Sequence, residues 1–456
     1  MRSLLSATVA AAVGGVLLAA PATSVLAEEV VVKMWSRADR SGPLRSGNIV
    51  AAANILNESF EAAGSETRVR IDLFENNANG FDQDALDLLQ AFAIDKGPDI
   101  YVAAHEWVGE FARNGYAMDM TQFVEKNDWA FGDVIPVLWE SVRYKGKIHA
   151  IPQDSEIRMI FYNKDMLRKA GKSEEFIESL PGKVEEGLIT AADWGQIVKE
   201  VVDSGAAEMG QIHRPNVGPD YLMTFAGFGA TFQNPETGKL MLAKGPMLDA
   251  LTWFDWMARN NATPSNNTAM SWDDVQNSFK QERVFAYHHG IWTMSWQLGD
   301  ERGNTWPTDE KGYFEKIGWI PQPPAEKGGK PANLSHPIVY VVNPQSENAE
   351  LAARLVALAT LPHFNTQHAV GSYHTAILNG QRTMPAYAEV WPLAKATELL
   401  SNASFMPSHP DFGKYNGLLY KALQGVETGR LDPEEAVLFL EDELSVELGD
   451  ELEIVE

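Results

Sequence analysis

Strands and helices alternate at the start of this chain, and that alternation narrows its fold more than any other feature. VVVKMW at 30–35 reads as a buried strand, with RVRIDLF at 68–74 and PDIYVA at 98–103 as a second and third strand. Between them lie helical patterns, one over 49–63 with Ala, Ile, Leu and Phe on one face, the other over DALDLLQAFAI. Strand–helix–strand units of this length predict a parallel sheet with helices on both faces. In such sheets ligands sit at the carboxyl ends of the strands, here 36–45, 75–77 and 104–107.

Further along, SVRYKGKIHAIP and EIRMIFYNKD are strand-like. Thr190 and Asp193 form a capping-box variant ahead of a helix that Gly205 can end, and NPETG at 234–238 is a turn. Gly245-Pro246 opens a helix through Arg259. The stretch 303–337 is rich in Gly, Pro and Lys around a short strand, IGWIP. HPIVYVVN is a further strand, 347–360 a helix, and Asp432-Pro433 starts the last helix. With no repeat and no low-complexity linker, two lobes would be interwoven rather than joined end to end.

The first 27 residues have the pattern of a cleaved secretory signal: Arg2, an apolar stretch over 4–20, and Val25-Leu26-Ala27 as the exit. The alternative is an uncleaved anchor, but the run is short and Ala/Gly-rich for a span of roughly 20 residues. The remaining 28–456 exceeds the roughly 250–300 residues at which single cores stop growing, so two domains are expected. The chain has 0 Cys, which excludes a disulfide framework, a thiolate metal site, a Cys nucleophile and a lipidated Cys anchor. A free protein retained in a bacterial periplasm is the expectation. A net charge of −25 argues against nucleic acid, and the acidic tail at 441–456 reads as solubility. The 13 Trp and 12 Tyr offer flat faces that suit sugar rings, although most of them are ordinary core.

Five segments, in order, resemble a known family. They are GPDIYVAAHEWVGEFARNGYAMDM, SVRYKGKIHAIPQDSEIRMIFYNKDMLRKAG with its YNKD, FKQERVFAYHHGIWTMSW, VVNPQSENAELAARLVALA and GRLDPEEAV. Each is similar to a segment of the family 1 extracellular solute-binding proteins of ABC sugar importers, and most of all to its maltose-binding members. The resemblance implies an α/β, two-lobed periplasmic-binding-protein fold (type II-like) whose interwoven lobes are joined by three crossings, near 157–161, 286–290 and 339–343. One lobe would comprise 28–156 plus 290–338, the other 162–286 plus 344–456. It further implies a non-catalytic monomer, with no cofactor and no metal. Such a protein closes by hinge motion on a mono- to oligosaccharide and delivers it to permease subunits in the inner membrane.

Sugar recognition needs carboxylate, amide or guanidinium groups for paired hydroxyls, and aromatic planes against the C–H faces of the ring. By the resemblance, Glu106 and Trp107 lie on the loop after the third strand, with Trp107 where maltose-binding members carry a basic residue. Glu156 matches an acidic ligand position, Trp292 a ring that stacks on sugar, and Tyr221 a further aromatic site. Trp35, Asn76, Asp154, Trp272, Ser335, His336 and Tyr373 fall on loops expected to face the cleft. Each has a plainer reading, solvated surface for Glu106 and core packing for Trp292. Arg37, Arg40 and Arg45 in the first loop, with Arg158, suggest a second function, a sugar or polyol phosphate held by guanidinium forks, unless acids such as Asp39 neutralise them. A third, an exported glycan hydrolase, would use Glu106 and Glu156 as its carboxylate pair. The sequence carries no nucleophile elbow, HExxH or P-loop, and His288-His289 lack the spacing of a helical metal pair.

Overall fold

A computed structural model describes residues 29–39, 41–78, 80–298 and 309–456; the expected signal at 1–27 and Arg40 lie outside them. The first sheet runs in the order Arg68–Asn76, Glu29–Arg37, Ile100–Ala104, Ile338–Val342, Ile151–Pro152. Its first three strands are parallel, with Trp35 opposite both Phe74 and Tyr101, and Ile338–Val342 enters antiparallel. Every residue of Ile100–Ala104 is buried, as in a central strand covered on both faces. Val32, Ile49, Leu88, Val102, Val341 and Leu355 are among those sharing this core.

The first helix, Gly42–Ala62, begins well before the predicted 49. Asp39 Oδ1 accepts the N–H groups of Ser41 (2.9 Å) and Gly42 (2.8 Å), and Pro43 occupies the first turn, where its fixed φ fits. Gly42 is required there, since a Cβ would lie 1.7 Å from the Arg37 carbonyl oxygen.

The second sheet runs Ala403–Phe405, Asn333–Ser335, Arg158–Asn163, Val284–Gly290, Met209–Ile212, with Ile317–Ile320 also paired to Arg158–Asn163. One cluster beside it gathers Trp194, Phe225, Phe254 and Leu419; another gathers Phe161, Tyr287, Tyr313 and Leu393. The capping box at Thr190 and Asp193 forms, and Asp432 with Glu435 makes another. The acidic tail is more than surface, because Leu452–Val455 pairs in parallel with Leu240–Ala243. No described helix is long and apolar enough to cross a membrane.

The architecture is therefore two α/β lobes, but the exchange points differ from those expected. Residues 290–338, assigned above to the first lobe, carry Ile317–Ile320 and Asn333–Ser335, both in the second sheet. The stretch 157–161 is mostly strand inside that sheet, and the crossing precedes it, between Ile151–Pro152 and Arg158–Asn163. The stretch 286–290 is no crossing: Val284–Gly290 pairs with Arg158–Asn163, and Ile291 and Met294 beyond it stay in a second-lobe cluster. The stretch 339–343 lies in the first sheet, and the chain crosses just before it, at 336–337. The third crossing runs through Pro362–Ser372, for Ala359 belongs to the first core and Ala369 to the second lobe. The cause is general. A fully apolar strand declares that it is buried, whereas its hydrogen-bonding neighbour decides in which lobe.

All three crossings meet at Asp154. Its Oδ1 accepts the Ile338 N–H (3.0 Å), and its Oδ2 takes Arg45 Nη2 (2.8 Å) and His368 Nε2 (3.0 Å). Asn365 Nδ2 adds a bond to the Gln153 carbonyl (2.6 Å). Burial would push the Asp154 carboxyl up, but the neighbouring His374, Arg45 and His368 pull it well below the usual carboxylate range. Burial also brings His374 down to about 3, so at neutral pH the standing cation is Arg45. Such a lowered carboxyl stabilises the fold above its unfolded pKa near 4, and that contribution fades as pH falls through the folded value. Asp154→Ala removes the nearest counter-charge of the buried Arg45 guanidinium, leaving it Asp39 at 3.2 Å, and is expected to cost about 3 kcal/mol in urea unfolding at pH 7. An unchanged midpoint would remove Asp154 from this role.

Candidate functional site

The carboxyl ends of the parallel strands carry the first half of the site. Ile100–Ala104 runs into a 3-10 turn, His105–Trp107, which brings His105, Glu106 and Trp107 to the sheet's end. The helix Phe81–Ala93 starts beside them with Asp82 and Asp84 in its first turn, where the positive end of the helix dipole favours anions. Trp107 Nε1 donates to Asp82 Oδ1 (3.1 Å), while Trp35 Nε1 (3.3 Å) and Asn76 Nδ2 (2.6 Å) both donate to Asp84 Oδ1. Arg37 lies 4.2 Å from the centre of the Phe81 ring and donates to Asp39 and to the Gly80 carbonyl.

The other half comes from the second lobe. Arg158 donates to Glu156 Oε1 (2.5 Å) and to Asp220, and Arg214 Nε holds the other Asp220 oxygen (2.7 Å). The Arg214 guanidinium lies 4.5 Å from the centre of the Trp272 ring; Trp272 stacks on His289 at 5.3 Å, and His289 meets Trp292 edge-on at 4.3 Å. Gln276 fixes His289 through a 2.8 Å contact. Gly290 permits the crowding. A Cβ there would sit 2.1 Å from Glu156 Oε2 and 2.5 Å from Trp292 Nε1, so the carboxylate and the indole lie side by side over a bare backbone.

His336, on a crossing, joins the halves. Its Nε2 is 3.0 Å from Glu106 Oε1 and its Nδ1 is 3.8 Å from Glu156 Oε1. The two carboxylates then diverge. For Glu106, burial is outweighed by the charge and hydrogen bond of His336, which bring its carboxyl down to about 2. For Glu156, burial wins over the Arg158 guanidinium and pushes the carboxyl up. Asp82 is also pushed up, by burial and by the Glu106 charge, against the opposing pull of Arg214 from the other lobe.

Of the residues singled out from the sequence, Trp35, Arg37, Asn76, Glu106 and Trp107 gather at the end of the first sheet. Glu156, Arg158, Trp272, Trp292 and His336 meet the second lobe's network. Ser335 is fully buried with its Oγ 3.1 Å from Ser155 Oγ, and Asp154 is consumed by the crossings. Tyr221 offers no stacking face: it is 0 % exposed, packs in the second-lobe core and donates to Asn416 Oδ1 (2.6 Å). Tyr373 caps a helix at φ 55° and bonds Glu310 (2.8 Å), apart from these groups. Asp82, Arg214 and Asp220 are not singled out from the sequence, and His289 enters there only as half of a metal pair. Asp82 stands two residues before DALDLLQAFAI and Asp220 next to Tyr221, and only spatial pairing distinguishes them from loop acids.

A family model described as "Bacterial extracellular solute-binding protein" matches residues 52–363. A binding protein of Brucella abortus (strain 2308) is 23% identical over 336 residues, covering 74% of this chain and 76% of its own. Among solved structures, the GacH receptor of Streptomyces glaucescens, known unliganded and with acarbose, superposes with TM-score 0.70 at 18% identity, covering 93% of this chain and 99% of that one. Maltose-bound MalE3 of T. maritima gives TM-score 0.71 at 18% identity, over 91% and 99%. With the family model spanning most of the chain and both lobes of the fold matched, this protein belongs to the bacterial extracellular solute-binding proteins.

Proposed function

We propose that this protein is the substrate-binding component of an ABC importer, and that it takes a neutral mono- to oligosaccharide between its lobes. One observation carries the reading: the Trp292 indole and the Glu156 carboxylate lie together over Gly290, and Glu156 Oε2 has no hydrogen-bond partner among the described residues. An aromatic plane beside an acceptor is what a sugar ring with equatorial hydroxyls requires. The acarbose and maltose complexes of the two similar structures support the same class of cargo. A ligand touching both halves binds the closed lobes preferentially and shifts the hinge equilibrium, which a permease in the inner membrane would read. Export by a cleaved signal and release without a lipid anchor, as a periplasmic monomer with no role in nucleic-acid binding, complete the reading.

The anionic alternative finds no support. Arg158 and Arg214 share Asp220, Arg37 is held by Asp39, and Arg45 by Asp154 and Asp39. A phosphate would have to displace buried carboxylates, and Asp82, Glu106 and Glu156 would repel it. Hydrolysis is disfavoured too, because the His336 ring stands between Glu106 and Glu156, where a scissile bond would have to lie.

A thermal-shift panel of neutral saccharides, polyols and phosphorylated counterparts tests the class. A cognate sugar at about 100 times its dissociation constant should add roughly 2.7 kcal/mol of stability. A response confined to anions would overturn the neutral assignment. With the cargo in hand, Trp292→Ala is expected to weaken calorimetric affinity by roughly 1–3 kcal/mol, the scale of losing a large apolar contact. Unchanged affinity would leave Trp292 a packing residue. Gly290→Ala, which must displace both Glu156 and Trp292, should cost affinity on the order of 1–2 kcal/mol. Tight binding by that variant would mean the two groups do not act together.

A further inference from the structure

Where Ile100–Ala104 ends, a bare imidazole nitrogen faces a carboxylate oxygen. His105 Nε2 lies 3.1 Å from the Met406 carbonyl oxygen, which can only accept, so Nε2 carries the proton and Nδ1 does not. That Nδ1 has no hydrogen-bond partner among the described residues and is 3.4 Å from Glu106 Oε2, which has His336 Nε2 as its other close polar neighbour at 3.0 Å. Two buried acceptors at that distance repel each other unless a proton or a cation lies between them. His336 supplies a third ligand atom, its Nε2, which lies 3.0 Å from Glu106 and would exchange its hydrogen bond to that carboxylate for the cation. One donor atom from each of the three residues falls within 4.8 Å of the others.

We infer that His105, Glu106 and His336 form a binding site for a divalent transition-metal cation, with Zn2+ the closest chemical match. Two imidazoles and one carboxylate are a donor set that Zn2+ takes, with a fourth position left for water or a cargo oxygen. The surroundings suit it. A ligating histidine is oriented by giving its other N–H to a carbonyl or carboxylate. His105 does so to Met406, and His336 Nδ1 faces Glu156. The local charge is negative as well: Asp82, Glu106 and Glu156 crowd here, while Arg158 is taken up by Glu156 and Asp220. The other histidine–carboxylate cluster, Asp154–His368–His374, carries Arg45 at 2.8 Å from the shared oxygen, a cation already in place.

The test uses the full chain after chelator treatment, titrated with Zn2+ by calorimetry and with Co2+ as a visible-absorption probe of coordination. Saturable 1:1 binding is expected, with Co2+ bands that Zn2+ displaces. Loss of an orienting partner alone costs about 10–100-fold in metal affinity, so Glu106→Gln and His336→Gln should each cost roughly 100-fold or more. His363→Gln, on an exposed position, should change nothing. Metal-free melting curves establish that each variant is folded. Absence of saturable binding, or binding that survives both cleft substitutions, overturns the site and leaves a proton between His105 and Glu106. The readout is metal binding alone, so this inference stands or falls separately from the carbohydrate cargo.

Discussion

The lobes of this protein are held in register by one buried carboxylate. Asp154 touches all three crossings and the first helix at once, through Ile338, His368 and Arg45. A buried ion pair is weak evidence of stability by itself, since desolvation offsets much of the attraction. Its geometry is another matter. Three separate stretches of chain must arrive together for the Asp154 oxygens and the Arg45 guanidinium to be satisfied, and any other arrangement of the crossings leaves a charge stranded. The arrangement therefore selects one topology more than it strengthens the fold. The 2.6 Å bond from the Tyr340 hydroxyl to the Arg45 carbonyl extends the same constraint into the first sheet.

The cleft repeats this logic with alternating charges. Glu106, His336, Glu156, Arg158, Asp220 and Arg214 follow one another across the lobes, ending on the Trp272 face. Both guanidinium groups in the series are already bonded to acids, and this separates a site for hydroxyl groups from a site for phosphate. Hydroxyls can take a lone pair such as that of Glu156 Oε2 without breaking a pair. An anion has to break one, at the cost of an uncompensated buried carboxylate. The divergent shifts of Glu106 and Glu156 follow from the same series: one carboxyl has a direct hydrogen bond from the imidazole, the other has the longer contact and the deeper burial.

The strands, the helices and the cleft's principal residues were legible because each rests on a local signal. Strand-like apolar runs and period-3.6 patterns located Glu29–Arg37, Arg68–Asn76 and the capped helices, and the rule for parallel sheets pointed at 104–107 before any side chain was placed. What was illegible is non-local. The lobe of 290–338 depends on which edge of Arg158–Asn163 is open, and nothing in IGWIP announces it. Tyr221 looked like a stacking residue by its motif, yet its hydroxyl finds Asn416 across the second-lobe core, a partner far away in sequence. The arginine-rich first loop read as an anion trap until Asp39, Asp84 and Asp154 supplied its counter-charges. The start of Gly42–Ala62 was hidden for a different reason: its opening turn buries Arg45, Ser46 and Asn48, so it carries no apolar stripe.

The hinge and the site are not independent inventions in this chain. Glu156 follows Asp154 by two residues, and His336 precedes Ile338 by two, while Asp154 and Ile338 are bonded directly. The clamp that ties two crossings together thus sets the separation of the two central groups of the cleft. In any rotation about these segments, groups borne on them move least, whereas Asp82 and Trp107 travel with one lobe and Arg214 and Trp272 with the other. Recognition is then divided physically. On the function proposed above, the carboxylate and imidazole near the crossings would offer the same face to a ligand in open and closed forms and contribute to capture in both. On the same proposal, the lobe-borne aromatic and charged groups would reach a ligand only on closure, and it is their contacts that would favour the closed form.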